Sequence, residues 1–311
     1  MMARRTDDRK IGDRKMAGNS VACVSFSCHS FFCRSCLGWL ALFCVMLPPL
    51  TAADEPAALT DGEKELREKW QGVYLEIAQS LDMRAGDKRL ALHEKPLLFY
   101  TNPVRTNDQH GSMFLWTAAG RPVAIGSVWS ALNRADTSLR NITHEFHSLS
   151  EQPDVQAARG GQAAWTSGEP GIAWQSLAGS PAPASSRAAR LAQMRALARS
   201  LSARITAEEA TDLRLMPQPL YRYPDKTAGA LDGALFVFAL ATDPELILLV
   251  EANPDEQPAY RAAFARFGNL AMEARHGERT IWSCERGMPG RSDGKYYLQW
   301  RIEQRKADLS P

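Results

Sequence analysis

Cysteine is nearly absent from the part of this chain that can fold. Of six cysteines in 311 residues, five (Cys23, Cys28, Cys33, Cys36 and Cys44) fall within residues 1–53, and only Cys284 lies beyond. No disulfide can therefore form within residues 54–311, and stability there rests on the core alone. Cys33 and Cys36 would read as a redox or zinc motif inside a folded domain, but they sit in a segment with the features of an export signal. Cys284, two residues after Trp282, reads as a buried inert thiol. Charge of one sign is lacking too. The chain carries 37 basic and 35 acidic residues, and residues 1–53 hold seven and three of them, which leaves 30 and 32 and a net of −2. That balance excludes a basic footprint for nucleic acid. The apolar run Leu37–Leu50 falls short of the roughly 20 residues a spanning helix needs. No G-x-S-x-G, phosphate loop or dinucleotide fingerprint occurs, so serine-nucleophile and nucleotide chemistry have no signature.

What is present begins with export. A basic stretch (Arg4, Arg5, Arg9, Lys10, Arg14, Lys15) and Arg34 precede the run Leu37–Leu50, and Thr51-Ala52-Ala53 supplies small residues for cleavage after Ala53. An uncleaved anchor is the alternative, and Met1, Met2 or Met16 can start the chain. Arg4-Arg5 lies too far from the run for a twin-arginine signal, and Phe43 before Cys44 argues against a lipoprotein site.

An internal repeat is the most informative feature. Leu90, Leu92, Pro96, Leu97 and Tyr100 return as Leu213, Leu215, Pro219, Leu220 and Tyr223. After a one-residue slip, Gly111, Phe114, Ala119, Pro122, Ile125 and Val128 return as Gly233, Phe236, Ala241, Pro244, Ile247 and Val250, and Trp116 meets Phe238. Each segment follows a helix pattern. The first helix is expected from Thr60, with Glu63 as capping-box partner, to about Leu81. The second is capped by Ser186 and carries Leu191, Met194, Leu197 and Leu201 as its stripe. Strands are expected over 88–93, 96–101, 112–118, 123–132 and 140–150, and again over 213–216, 234–241, 246–252, 269–275, 279–284 and 295–301. A turn is read at Asp243-Pro244-Glu245-Leu246, an extra helix at about 257–267, and a polar tail at 302–311.

These readings predict an α+β fold of two related helix-plus-antiparallel-meander units, helices packed on the sheet. The divisions are a signal peptide at 1–53, a first unit at 54–150, a Gly/Pro/Ser-rich connector at 151–186 and a second unit at 187–311. Duplicated units leave a cleft at their junction, and such clefts are common ligand sites.

Chemistry-bearing clusters are few. His144-Glu145-Phe146-His147 is one residue short of the zinc motif H-E-x-x-H. On a strand, Glu145 and His147 share one face and His144 shares the other with Phe146. These three are candidates for acid–base or metal work, or ordinary sheet residues. Trp165 and Trp174 pin the connector to the core or line a cleft. Tyr221-Arg222-Tyr223 places two phenols on one face and the guanidinium opposite, to hold a ligand or to anchor the crossing chain. No metal or cofactor is expected.

The phrases HEFHSLS at 144–150, RLAQMR at 190–195, LRLMPQPLYRY at 213–223, GALFVF at 233–238 and ATDPE at 241–245 together resemble an uncharacterised family of exported planctomycete proteins. The resemblance spans most of residues 88–252 and implies export and a shared fold, with no activity to carry over. The leading expectation is an exported non-catalytic protein, periplasmic or extracellular, that binds a small ligand or an envelope partner, with no nucleic acid and no membrane span after cleavage. A hydrolase using His144, Glu145 or His147 and a structural envelope component are the alternatives.

Overall fold

The computed structural model describes residues 60–102, 108–207, 209–223, 232–253, 259–287 and 297–310. The expected signal segment lies outside the described residues. Ala58–Pro311 forms one compact unit.

Helix α1 (Asp61–Gln79) leads into β1 (Leu81–Ala85), β2 (Lys88–Arg89), β3 (Ala91–Leu92), β4 (Leu98–Asn102), β5 (Gln109–Ala118), β6 (Arg121–Leu132), β7 (Leu139–Ser148), β8 (Val155–Arg159) and β9 (Gln162–Thr166). The short β10 (Gln175–Ser176) follows. Then come α2 (Arg187–Arg199), β11 (Leu201–Ile205), β12 (Thr211–Leu215), β13 (Tyr221–Tyr223), β14 (Asp232–Leu240), β15 (Asp243–Ala252), β16 (Tyr260–Arg266), β17 (Met272–His276), β18 (Arg279–Cys284) and β19 (Tyr297–Lys306).

Strand accounts for 53% of the described residues and helix for 14%, in curled half-barrel sheets. The chain is mostly β, and the expected α+β fold with helices packed on the sheet is overturned. Several segments carry the difference. β1 follows the first helix where no strand was expected, and Leu201, expected in the stripe of the second helix, instead opens β11. The connector 151–186, expected without structure, contains β8, β9 and β10. Its Gly160-Gly161 pair, at φ 58° and 78°, closes a two-residue hairpin between β8 and β9, a turn that needs positive φ. The helix expected at 257–267 is β16, an Ala/Phe-rich segment buried on both faces, where a strand's pattern loses its alternation. The tail at 302–311 continues β19 to Lys306, whose partner β7 supplies the hydrogen bonds that polar residues alone do not forecast. The expected turn at 243–246 also moves. The link between β14 and β15 is Ala241-Thr242, with Ala241 at φ 54°, and Pro244 stands at a bulge opposite Ala239.

Both long hairpins are apolar on two faces. In β5, Phe114 and Trp116 join one core with Trp70, Tyr74 and Ile77 of α1, while Met113 and Leu115 face the other way. In β14, Phe236 and Phe238 join Met194 and Ala198 of α2, while Leu235 and Val237 turn back. The inward-turned sets meet in a shared middle core completed by Ile125, Ile247 and Leu249. The expected junction between the halves is thus closed by packed side chains.

Local details recur at matching places. Tyr100 lies opposite Gly111 and Tyr223 opposite Gly233. The β5–β6 ladder slips between Trp116 and Thr117, and the β14–β15 ladder between Phe238 and Ala239. Two strands cross over. β10, after the first set, pairs with β16; β19, after the second, pairs with β7.

Candidate functional site

The alternation of β7 separates the three residues of the histidine motif. Glu145 and His147 face the seam between the sheet of β19, β7, β6 and β5 and the sheet of β16, β15 and β14, and His147 Nε2 lies 2.8 Å from Glu145 Oε1. The imidazole is fully buried, 5.1 Å from the Phe267 ring and stacked at 12° on Tyr297. Burial pushes its pKa down against the opposing pull of Glu145. Tyr100 donates to Ser127 nearby at 3.1 Å, and burial raises its phenol well above the ordinary range. The space bounded by Tyr100, Glu145, Asp243 and Glu245 is about 10 Å³, one water at most. This pair can hold a proton, but it offers no room for a substrate.

His144 looks the other way. It is 3% exposed, with its ring 4.6 Å from Phe146. Burial, reinforced by the charge of Arg159, lowers its pKa to about 4, so it is neutral near pH 7. It reaches a depression of about 240 Å³ lined by Arg159, Gln162, Ala163, Ala164, Trp300 and Ile302. Its Nδ1 is buried and has no hydrogen-bond partner among the described residues. Trp300, its cross-strand neighbour on β19, is 46% exposed. Among the described residues no group of three or more His, Cys, Asp or Glu side chains is placed to hold a metal ion.

Of the aromatic candidates, Trp165 stands apart. It is 2% exposed, packed in the first core against Phe146. The other three, Trp174, Tyr221 and Tyr223, gather at one end of the seam. Tyr221 and Tyr223 stack 6.0 Å apart on one face of β13, and Tyr221 donates to the Gly120 carbonyl at 2.9 Å. Tyr223 donates at 2.9 Å to Glu251, which also receives Arg121 at 2.7 Å and Arg261 at 2.9 Å. Both guanidiniums lie over the Trp174 ring, at 5.6 and 4.6 Å. Arg222, on the opposite face, shares the buried Asp232 with Arg190, at 2.5 and 2.9 Å. Two fully buried carboxylates, each clamped by two arginines, make this end a rigid ionic joint.

No family model matches the chain, and neither a curated protein nor a solved structure matches it.

Sequence reasoning did not reach Arg121, Arg261, Asp232, Arg159, Gln162 or Trp300. The Gly160-Gly161 dipeptide is the signal that brings Arg159 and Gln162 together across a hairpin. For Arg121 and Trp300 no local signal exists, because each acquires its neighbours from the other half of the chain.

Proposed function

We propose that this chain is an exported, non-catalytic protein that binds a small ligand on its outer β surface. One observation carries the reading: the acid–base pair Glu145–His147 is sealed in the seam, whereas His144 and Trp300 border an open depression. A group that is to transfer protons to a substrate must come within hydrogen-bond reach of it, and the sealed pair lacks that access.

Export rests on the sequence of residues 1–53 and on the resemblance to exported planctomycete proteins. Among the described residues no helix is long and apolar enough to cross a membrane. The recurring order of elements supports descent of both halves from one duplicated unit.

The test pairs binding with turnover. Purified protein is screened by thermal shift against small extracytoplasmic metabolites and cell-wall fragments, alongside ester, phosphoester and glycoside hydrolysis assays. The expected result is a saturable rise in Tm with no turnover. Hydrolysis that disappears in Glu145→Gln overturns the reading. Sequencing of the exported protein's N-terminus is expected to begin at Asp54.

A further inference from the structure

The two halves treat one equivalent place differently. Val128 pairs with His144 as Val250 pairs with Ala262. Trp300 pairs with His144 as Gln175 pairs with Ala262. Trp165 stands opposite Ala157 as Trp282 stands opposite Ala274, so Ala164 corresponds to Ile281. In the second half the gap between the crossing strand and the hairpin is bridged, because Gln175 Nε2 donates to the Ile281 carbonyl at 2.6 Å. In the first half the same gap is the depression: alanine replaces isoleucine, and Trp300 replaces the bridging glutamine and turns to solvent.

We propose that this depression binds a single pyranose ring. This rests on the ligand-binding reading above and names its ligand class. The indole offers a flat apolar plate that packs on the C–H face of a sugar. The neutral His144 imidazole, the Gln162 amide and the Arg159 guanidinium supply directional donors and acceptors for hydroxyls. Arg159 keeps hold of the site's rim through Ser80 at 3.2 Å and Glu303 at 3.4 Å. At about 240 Å³ the space lies below the roughly 300–1,000 Å³ of pockets for drug-sized ligands, so one ring fits and its neighbours in a glycan lie outside. A free hexose and the terminal residue of a polysaccharide present the same chemistry.

The experiment is a tryptophan-fluorescence and calorimetric titration of the full chain with hexoses, their methyl glycosides, short oligosaccharides, benzoate and inorganic phosphate. Saturable binding of a pyranose is expected, lost in Trp300→Ala, weakened at least tenfold in Gln162→Ala and unchanged in Trp282→Ala. Trp300 and Gln162 are exposed, so their loss leaves the core intact, and circular dichroism checks this. Equal affinity for glycoside and free sugar identifies the free ring as sufficient, while binding of oligosaccharides alone identifies a glycan terminus. Binding of benzoate or phosphate but of no pyranose, with dependence on Trp300, overturns the sugar class and leaves the binding reading standing. Pyranose binding that Trp300→Ala leaves unchanged overturns this site, and silence across the panel overturns both the sugar class and the binding reading.

Discussion

The Phe146 ring lies 6.0 Å from the Trp165 ring, with 32° between their planes. Phe264 and Trp282 repeat the arrangement at 6.0 Å and 30°. In each case the phenylalanine comes from the third long strand of a sheet and the tryptophan from the hairpin folded over it. The hairpin is thereby tied to the sheet without any disulfide.

Removing one of these ties tests the two halves against each other. Trp165→Ala is expected to cost about 3–5 kcal/mol, the range for deleting a large buried aromatic. Trp282 is partly exposed, and Trp282→Ala is expected to cost less. Because β10 and β19 each pair with the opposite set of strands, both variants should unfold in a single transition. Urea denaturation followed by fluorescence and by circular dichroism checks this, and two separated transitions would contradict the reciprocal crossing.

The glycines beneath the two tyrosines are a second test. A Cβ built on Gly233 would sit 2.4 Å from the Tyr223 ring, and one on Gly111 would sit 2.5 Å from the Trp129 Cβ. Neither neighbour can withdraw, since Tyr223 is buried and hydrogen-bonded to Glu251 and the Trp129 Cβ is fixed by its own strand. Gly233→Ala and Gly111→Ala are each expected to destabilise by about 1–3 kcal/mol, read as a lowered urea midpoint.

Glu251 tests the ionic joint. Arg121 comes from β6 and Arg261 from β16, so the carboxylate fastens the two sheets together. Glu251→Ala leaves two poorly solvated guanidiniums around an empty place, an error that costs about 3–5 kcal/mol when a buried pair loses one partner. A loss below 1 kcal/mol in chemical denaturation would show that the joint adds nothing.

Acid should weaken the fold through its buried histidines. Burial, with Arg140 adding to it, lowers His110 to about 3, and burial lowers His144 to about 4. Both pKa values lie below that of the unfolded chain, about 6.5. The unfolded state therefore takes up protons first, and stability falls as pH drops from about 6.5 toward 4 and 3. For His144, lowered from 6.5 to about 4, the contribution is on the order of 3 kcal/mol at about 1.4 kcal/mol per unit. Tm measured between pH 7.5 and 4 should decline, and His144→Gln should flatten part of that decline.

Local chemistry was readable in the sequence where it was self-contained. The stripes of Trp70, Tyr74 and Ile77 and of Met194 and Leu197 marked α1 and α2, and Ser186 marked a cap whose hydroxyl oxygen accepts from the Ala189 amide. The alternation around His144 separated its face from that of Glu145 and His147. The repeated Tyr, Gly and Pro positions located both long hairpins. Strands that owe their existence to distant partners left no such trace. β16 lies between two apolar layers, so its Ala/Phe sequence carries no period of two and looks helical. β19 was legible at 295–301, but its polar continuation to Lys306 was not, because that part is an edge whose pairing with β7 is long-range. The sequence by itself determined α1 and α2, the two long hairpins and which residues of β7 share a face, because those depend on spacing along one segment. Only the tertiary structure decided that the seam would be sealed, that Glu251 would gather arginines from both sheets, and that His144 and Trp300 would meet at an open depression. Those outcomes depend on which strands become neighbours, and that is fixed by burial across the whole fold.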